Sequence, residues 1–298
     1  MNFQIIAIIV TYNGSKWIDK CFGSLINSTI PIKVLAIDNA STDGTPQIIR
    51  TKFPQVEVIE TGENLGFGKA NNIGLKRVLD ENADYAFLLN QDAWVEPDTI
   101  EKLVKIHQNN PQFDLLSPIH LNGNGDAIDR NFQNYLGPSF TPEFYSDLFL
   151  KKNKEIYEGK FANAAAWMLT RKCIEIVGGF DPIFKHYGED DDYIYRLHYH
   201  KLKLAIIANA IIYHDRPQTG KMNNSFYKNQ IYTRSVLSLK KDIKPKTHYV
   251  LRRLIVKYIE LFFVFLGNNN QLRHEIEIDW NILKMKRQIK KQQSNFNL

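Results

Sequence analysis

Four apolar runs, at residues 5–10, 33–37, 56–59 and 85–89, are each followed by a segment with helical spacing, at 16–27, 45–52, 70–79 and 98–108. Strands separated by helices do not close as tight hairpins, so the pattern predicts a parallel sheet flanked by helices. The residues between elements agree with it. Asp43-Gly44-Thr45-Pro46 offers a turn, a capping candidate and a proline for the first helical turn, and Glu96-Pro97-Asp98 does the same before the fourth helix. Ligands of open α/β sheets bind beyond the carboxyl ends of the strands, which makes the residues after each run the informative ones. All four sets are polar: Thr11-Tyr12-Asn13, Asp38 through Asp43, Thr61 through Gly66, and Asn90-Gln91-Asp92.

The remaining sequence divides in two. Residues 111–160 are rich in Asn, Gly, Pro and aromatics without a clean period, and are expected to be irregular or to form short antiparallel strands. An ordered small-residue run over 162–169 ending in Trp167-Met168 follows, then a helix near 171–177 closed by Gly178-Gly179, a helix from Glu189 to about His200, and a strand over 204–213. We therefore expect a catalytic domain over 1–220, with a nucleotide-binding half to about 110 and an acceptor half beyond it, and a basic helical C-terminal extension over 221–298. The extension holds 16 Lys and Arg against 5 Asp and Glu, a net +11, whereas residues 1–220 carry a net −5. Helical spacing of Leu251, Leu254, Ile255, Tyr258, Phe262 and Phe265, and the basic run 284–291, fit docking on the catalytic domain, a homo-oligomer through 245–298, or an anionic membrane surface. No nucleic acid partner is expected.

A 298-residue chain that is 44% hydrophobic has enough apolar sequence for a large core, which excludes a disordered chain. Cys21 and Cys173 lie far apart with no metal-ligand spacing, as in a protein of a reducing compartment. The first residues run directly into the first strand without a basic leader, and no stretch is apolar for about 18 residues. The expected location is cytoplasmic, at most peripheral to the inner face of the membrane.

Several short motifs carry chemistry. Residues 62–70 (GENLGFGKA) invite a phosphate-loop reading, but the spacing to Gly68-Lys69 is one residue too long and Ala70 stands where a metal-binding hydroxyl belongs. Asp38 and Asp43 suit a nucleobase or ribose, and equally turn formation and capping. Asp92 suits capping or a divalent cation, since Mg²⁺ and Mn²⁺ favour oxygen ligands that they share with phosphates. Four consecutive acids, Glu189-Asp190-Asp191-Asp192, repel one another unless solvated, paired or used; they suit a helix N-terminus, and one of them suits a general base. His214, at the end of the last strand, is a surface residue or a nitrogen ligand of the same cation.

Together these blocks resemble glycosyltransferase family 2 with its A-type glycosyltransferase fold. The resemblance rests on Ile8-Ile9-Val10-Thr11-Tyr12-Asn13, Ala36 through Thr45, Asn64 through Gly74, Leu88-Leu89-Asn90-Gln91-Asp92, and Gly178-Gly179-Phe180-Asp181 through Glu189-Asp190 to His214. The branch most similar is the rhamnosyltransferase-like one, which often has Asn-Pro-Asp where other members have Asp-x-Asp; here the middle residue is Gln91. The resemblance implies an inverting transferase that moves a sugar from a UDP- or dTDP-linked donor to a saccharide or lipid-linked acceptor in surface polysaccharide assembly. It implies that Asp190, with Glu189 beside it, is the base, and that Asp92 and His214 bind Mn²⁺ or Mg²⁺. Donor contacts would come from Thr11, Tyr12, Asn13, Asp38, Asn39, Asp43, Asn64, Gly66, Lys69, Asn72, Asn90 and Gln91. Trp167, Tyr187 and Trp94 are candidates for stacking on sugar rings. Two rival readings are a sugar-phosphate nucleotidyltransferase, which should open with an Arg- and Gly-rich loop that residues 11–15 lack, and a carbohydrate-binding relative without turnover, suggested by Asn90 in place of a carboxylate.

Overall fold

Isoleucine and valine fill β1 (Ile5–Thr11), and six of its seven residues are buried, as a strand covered on both faces requires. The computed structural model describes residues 3–152, 154–184, 187–216, 236, 252, 254–258, 273, 276–277, 279–280, 283–284 and 298. A single 3₁₀ turn and α1 (Ile18–Ile26) follow β1. The chain then continues through β2 (Lys33–Asp38), α2 (Thr45–Lys52), β3 (Glu57–Glu60), α3 (Phe67–Asp80) and β4 (Tyr85–Leu89). These four strands are parallel in the spatial order β3-β2-β1-β4, as the β-α alternation predicts.

Beyond β4 lie β5 (Ala93–Val95), α4 (Thr99–Asn109), β6 (Phe113–Asn122), α5 (Phe132–Tyr135), α6 (Phe144–Phe149), β7 (Ile156–Gly159), β8 (Ala166–Thr170), α7 (Arg171–Val177), α8 (Glu189–Tyr199) and β9 (Lys203–His214). The sheet extends as β4-β8-β6-β9, and the two ends of β9 take different edge partners, β7 and β5. Because β8 is antiparallel to both β4 and β6, and β9 is parallel to β6, strands β1–β4, β6 and β9 all point the same way. Their carboxyl ends share one edge, which also receives the start of β8.

The irregularity expected over 111–160 is only partly found, because β6 is a ten-residue strand in the middle of the sheet with eight residues buried. Ser117, Pro118 and His120 break its apolar pattern. Pro118 is tolerated because the β6–β9 register shifts between it and Ile119, so the missing N–H falls at an irregularity of the ladder.

Side-chain alternation along β1 sorts the core into two layers. Ile6 and Ile8 pack with α3, α7 and α8, while Ile5, Ala7 and Ile9 pack with α1 and α4. Gly74 brings α3 close to the sheet: a Cβ there would lie 2.5 Å from Cγ2 of Ile8. Gly74→Ala is therefore expected to cost about 1–3 kcal/mol through overpacking, seen as a lower denaturation midpoint with an unchanged m-value.

Apart from Leu298 the described residues of the extension are helical; Leu254, Ile276 and Leu283 pack together, and Lys257 and Asp279 form a buried ion pair of 3.1 Å. Leu251, Phe262, Phe265 and most of the basic run 284–291 lie outside the described residues. So does most of 245–298, the segment assigned to oligomer or membrane contacts. Among the described residues no helix is long and apolar enough to cross a membrane.

Candidate active site

The loops after β1 and β2 are organised by Asp38, which is only 1% exposed. Its carboxylate accepts hydrogen bonds from Thr11 Oγ1 (2.8 Å), Ser41 N (2.9 Å) and Ser41 Oγ (2.6 Å). Asn13, at a positive φ of 48°, accepts from Thr42 N (2.8 Å), and Asp43 accepts from Ser15 N and Thr45 N. Burial pushes the Asp43 carboxyl up, but its bonds from Thr45 and Ser15 outweigh this and bring it down to about 2. Asn39 joins the neighbouring loop through Leu65 N and Gly66 O, and Asn64 closes a turn onto Gly66 N. Asp38 thus organises both loops, its buried carboxylate bonded to Thr11 and Ser41. Tyr12 (47% exposed), Asn13, Asp43, Asn64 and Lys69 are the donor-side candidates that are exposed to solvent.

Two amide side chains among the expected donor contacts brace the fold. Gln91 accepts from Tyr12 N (2.9 Å) and donates to Tyr12 O (3.0 Å), imitating one rung of a β-ladder between the β1 and β4 loops. Gly14 leaves room for it, since a Cβ there would sit 2.2 Å from Gln91 Oε1. Asn72 makes the same two-point contact with Phe180, accepting from its N (2.7 Å) and donating to its O (2.8 Å). Gln91→Leu removes both rungs and is expected to raise the donor KM about tenfold with a smaller change in kcat, each neutral hydrogen bond being worth roughly 1 kcal/mol.

The turn after β4 delivers Asp92 to His214. Pairing of Ala93 with His214 in the β5–β9 ladder sets the register, and Asp215 N donates to Asp92 O at 2.8 Å. Asp92 Oδ1 lies 3.2 Å from Nε2 of the buried His214. Burial pushes the Asp92 carboxyl up, but the hydrogen bond and charge of His214, aided by Arg216, leave it below the ordinary carboxylate range.

Opposite them stands the N-terminus of α8. Glu189 is buried and one of its oxygens has no hydrogen-bond partner; burial, then repulsion from Asp190, pushes it up to about 8. Asp190 is half-buried, and burial followed by repulsion from Asp191 pushes it up to about 6. Two neighbouring acids at the mouth of a cleft, one ionising near 6 and the other near 8, are suited to proton transfer. The helix is anchored from behind by Arg196, fully buried, which donates to Asp192 Oδ2 (2.9 Å), Val177 O (2.6 Å) and Gly179 O (2.8 Å).

Asn90, Asp92, Tyr187, Glu189, Asp190 and His214 line one cleft of about 420 Å³. Phe67, Asn131, Tyr135, Asn163 and Arg216 line it too, and were not singled out in the sequence. Arg216 is tied to the buried Asp129, 87 residues away, by Nε at 2.9 Å and by a shorter bond from its second nitrogen. Its one local signal is that it lies two residues past His214. Trp167 does not reach the cleft: it is fully buried and stacked on Phe180 at 6.1 Å, so its assignment to sugar stacking is corrected to core packing. Trp94 is likewise covered, by Tyr213 stacked at 5.7 Å and Lys20 at 4.2 Å from the ring centre. A larger cavity, about 670 Å³, lies along β7 and His198 and contains none of these residues.

Among the described residues no third His, Cys, Asp or Glu joins Asp92 and His214 in a cluster able to hold a metal. The pair itself suits a cation shared with phosphate, offering one hard oxygen and one imidazole nitrogen on the same side of the cleft.

Comparison with known proteins identifies the family and the fold. Residues 6–175 match the family model described as Glycosyl transferase family 2. The chain is 27% identical over 237 residues to the N-acetylglucosaminyl-diphospho-decaprenol L-rhamnosyltransferase of Mycobacterium tuberculosis, covering 72% of this chain and 77% of that one. It is 26% identical over 194 residues to the dTDP-rhamnosyl transferase RfbF of Shigella flexneri, covering 61% and 58%. Among solved structures it shares its fold with Staphylococcus aureus TarS 1–349 in complex with UDP, with TM-score 0.57 and 14% identity over 98% of this chain and 89% of that one. The mannosyltransferase PcManGT of Pyrobaculum calidifontis, solved with GDP-Man and Mn²⁺, matches with TM-score 0.57 and 16% identity over 99% and 74%. The fold is thus the A-type one, the relatives are enzymes that transfer sugars, and the chain is a glycosyltransferase that belongs to glycosyltransferase family 2.

Proposed function

We propose that the chain moves a sugar, rhamnose first among the candidates, from a dTDP- or UDP-linked donor to the hydroxyl of a saccharide or lipid-linked acceptor, with inversion at the anomeric carbon, in surface polysaccharide assembly. The observation that carries this reading is the meeting of two unlike pairs in one cleft, Asp92 with His214 and Glu189 with Asp190. Relatives named as rhamnosyltransferases support the sugar, and the decaprenol in one of their names supports a lipid-linked acceptor.

In this reading the nucleoside lies against the loops shaped by Asp38, with Tyr12 and Asp43 beside it. Asp92 and His214 would hold a divalent cation, which when bound neutralises charge on the departing diphosphate. Arg216, at the cleft wall, adds a permanent positive charge. Asp190 takes the proton from the acceptor hydroxyl as that oxygen attacks from the side opposite the diphosphate, and Glu189 keeps a proton so that the pair carries one negative charge. Displacement from one side with a base behind the nucleophile inverts the centre.

The test is a panel of nucleotide sugars scored for released nucleoside diphosphate with and without Mn²⁺ or Mg²⁺. Transfer is expected from a dTDP- or UDP-sugar, to fall by about 10²-fold or more after chelation, and to be lost similarly in Asp92→Ala. Full activity of Asp92→Ala in chelator would remove the role given to the pair; donor binding without turnover across the panel would favour a carbohydrate-binding protein instead.

A further inference from the structure

The segment between β6 and β7 carries a surface that sugar transfer does not use. α6 runs out into Leu148-Phe149-Leu150, which are 63%, 87% and 57% exposed, and Tyr145 one turn earlier is 42% exposed. Single exposed apolar side chains are ordinary, but three consecutive large ones projecting from a helix end are not.

The charges around this tip are arranged by sign. Asp147, on the inner side, is buried and paired with Lys154 at 2.8 Å and Lys152 at 3.7 Å, and Glu143 is paired with Lys154 at 2.6 Å. Lys151 and Lys152 directly follow the tip and are exposed, and no acid lies in residues 148–154. An apolar projection backed by lysines suits a bilayer interface, where hydrocarbon receives side chains without shape complementarity and ammonium groups reach anionic headgroups. A stable protein interface needs about 800 Å² on each side, more than three side chains on a helix end provide.

The tip is also held firmly relative to the cleft. Phe144 is buried against Tyr157 with ring centres 5.0 Å apart, and Tyr145 Oη donates to Gln133 O at 2.9 Å. Gln133 belongs to α5, whose Tyr135 lines the cleft. We propose that Leu148, Phe149 and Leu150 insert into an anionic membrane surface, with Lys151 and Lys152 meeting the lipid headgroups.

Co-sedimentation of the full chain with phosphatidylcholine vesicles, with and without phosphatidylglycerol, tests this and needs neither donor nor acceptor, so it stands or falls apart from the proposed reaction. Binding to the anionic vesicles is expected, and the combined variant Leu148→Ser, Phe149→Ser, Leu150→Ser should weaken it at least about tenfold. Lys151→Glu with Lys152→Glu should weaken it about tenfold, and only where phosphatidylglycerol is present. Absence of binding, or binding unchanged in the serine variant because the basic extension supplies it, would overturn the proposal. A second measurement does not depend on the serine variant folding. Cys21 and Cys173 are buried, so an environment-sensitive dye on Phe149→Cys reports on the tip alone. A blue shift on adding anionic vesicles is expected; no shift, or a shift that tracks protein concentration without lipid and so marks contact between copies, would refute it.

Discussion

Asp190→Asn is expected to lower kcat by about 10²–10⁴-fold while leaving the donor KM little changed, because the amide keeps the shape of the site and removes its proton acceptor. The wild-type rate should follow ionisation of the acid pair. Burial and neighbouring acids raise both Glu189 and Asp190, so the rate should climb as pH rises through about 6, where Asp190 gives up its proton, and then level off. The same shifts act oppositely on stability. A carboxyl raised by the fold favours the protonated folded state, so its contribution is complete below the ordinary carboxylate range and is lost as pH rises through about 6 for Asp190 and about 8 for Glu189. Asp190→Asn, uncharged at every pH, should therefore melt about 3 °C or more above wild type at pH 8, with the difference vanishing near pH 4. An inactive variant that melts higher is the expected pairing where a site holds charge against its preference. Full transfer by Asp190→Asn would show that another group accepts the proton.

Arg196→Met carries the largest expected loss of stability. The guanidinium is fully buried and serves three acceptors at once, the Asp192 carboxylate and the carbonyls of Val177 and Gly179. Its removal strips the cation from a fully buried carboxylate and leaves two carbonyls without these donors, at a cost of about 3–5 kcal/mol. For a domain of this size that corresponds to a fall of roughly 10 °C in thermal midpoint, measured by circular dichroism. Adding Asp192→Leu should restore much of the loss, since a buried ion pair replaced as a unit is far less damaging than one half of it. Activity should not return with stability. Val177 and Gly179 frame the loop leading to Phe180, and Phe180 is where Asn72 grips the chain; without Arg196 the start of α8, and with it Asp190, is no longer held against α3.

These variants mark where local pattern and tertiary structure part company. The parallel strands β1 to β4 are legible because each is a short buried run between turn residues and a helical period, and both cues are local. β6 is not, because Ser117, Pro118 and His120 are polar or helix-breaking residues whose burial depends on partners more than 80 residues away in β9. The acid pair and Asp92 with His214 were visible as charged residues at strand and helix ends, where chemistry concentrates in this class of fold. Gln91 and Asn72 stand in the same motifs yet act as braces. Their partners, Tyr12 and Phe180, are 79 and 108 residues distant, so nothing in their neighbourhood distinguishes a ligand contact from a structural one. Trp167 is ambiguous for the opposite reason: an aromatic near the end of an apolar run suits a sugar platform as well as a core, and Phe180 and Tyr193 packed around it decide the matter. Arg216 is not legible locally because its role depends on Asp129, which lies in a loop without periodicity.

Asp190 is proposed to drive a single displacement on a donor held at Asp92 and His214. This is tested most directly by following the anomeric proton of the transferred sugar by ¹H NMR during the first turnovers, with whichever dTDP- or UDP-sugar the panel identifies. The expected product has the anomeric configuration opposite to the donor's. Product that retains the donor's configuration would contradict a single displacement.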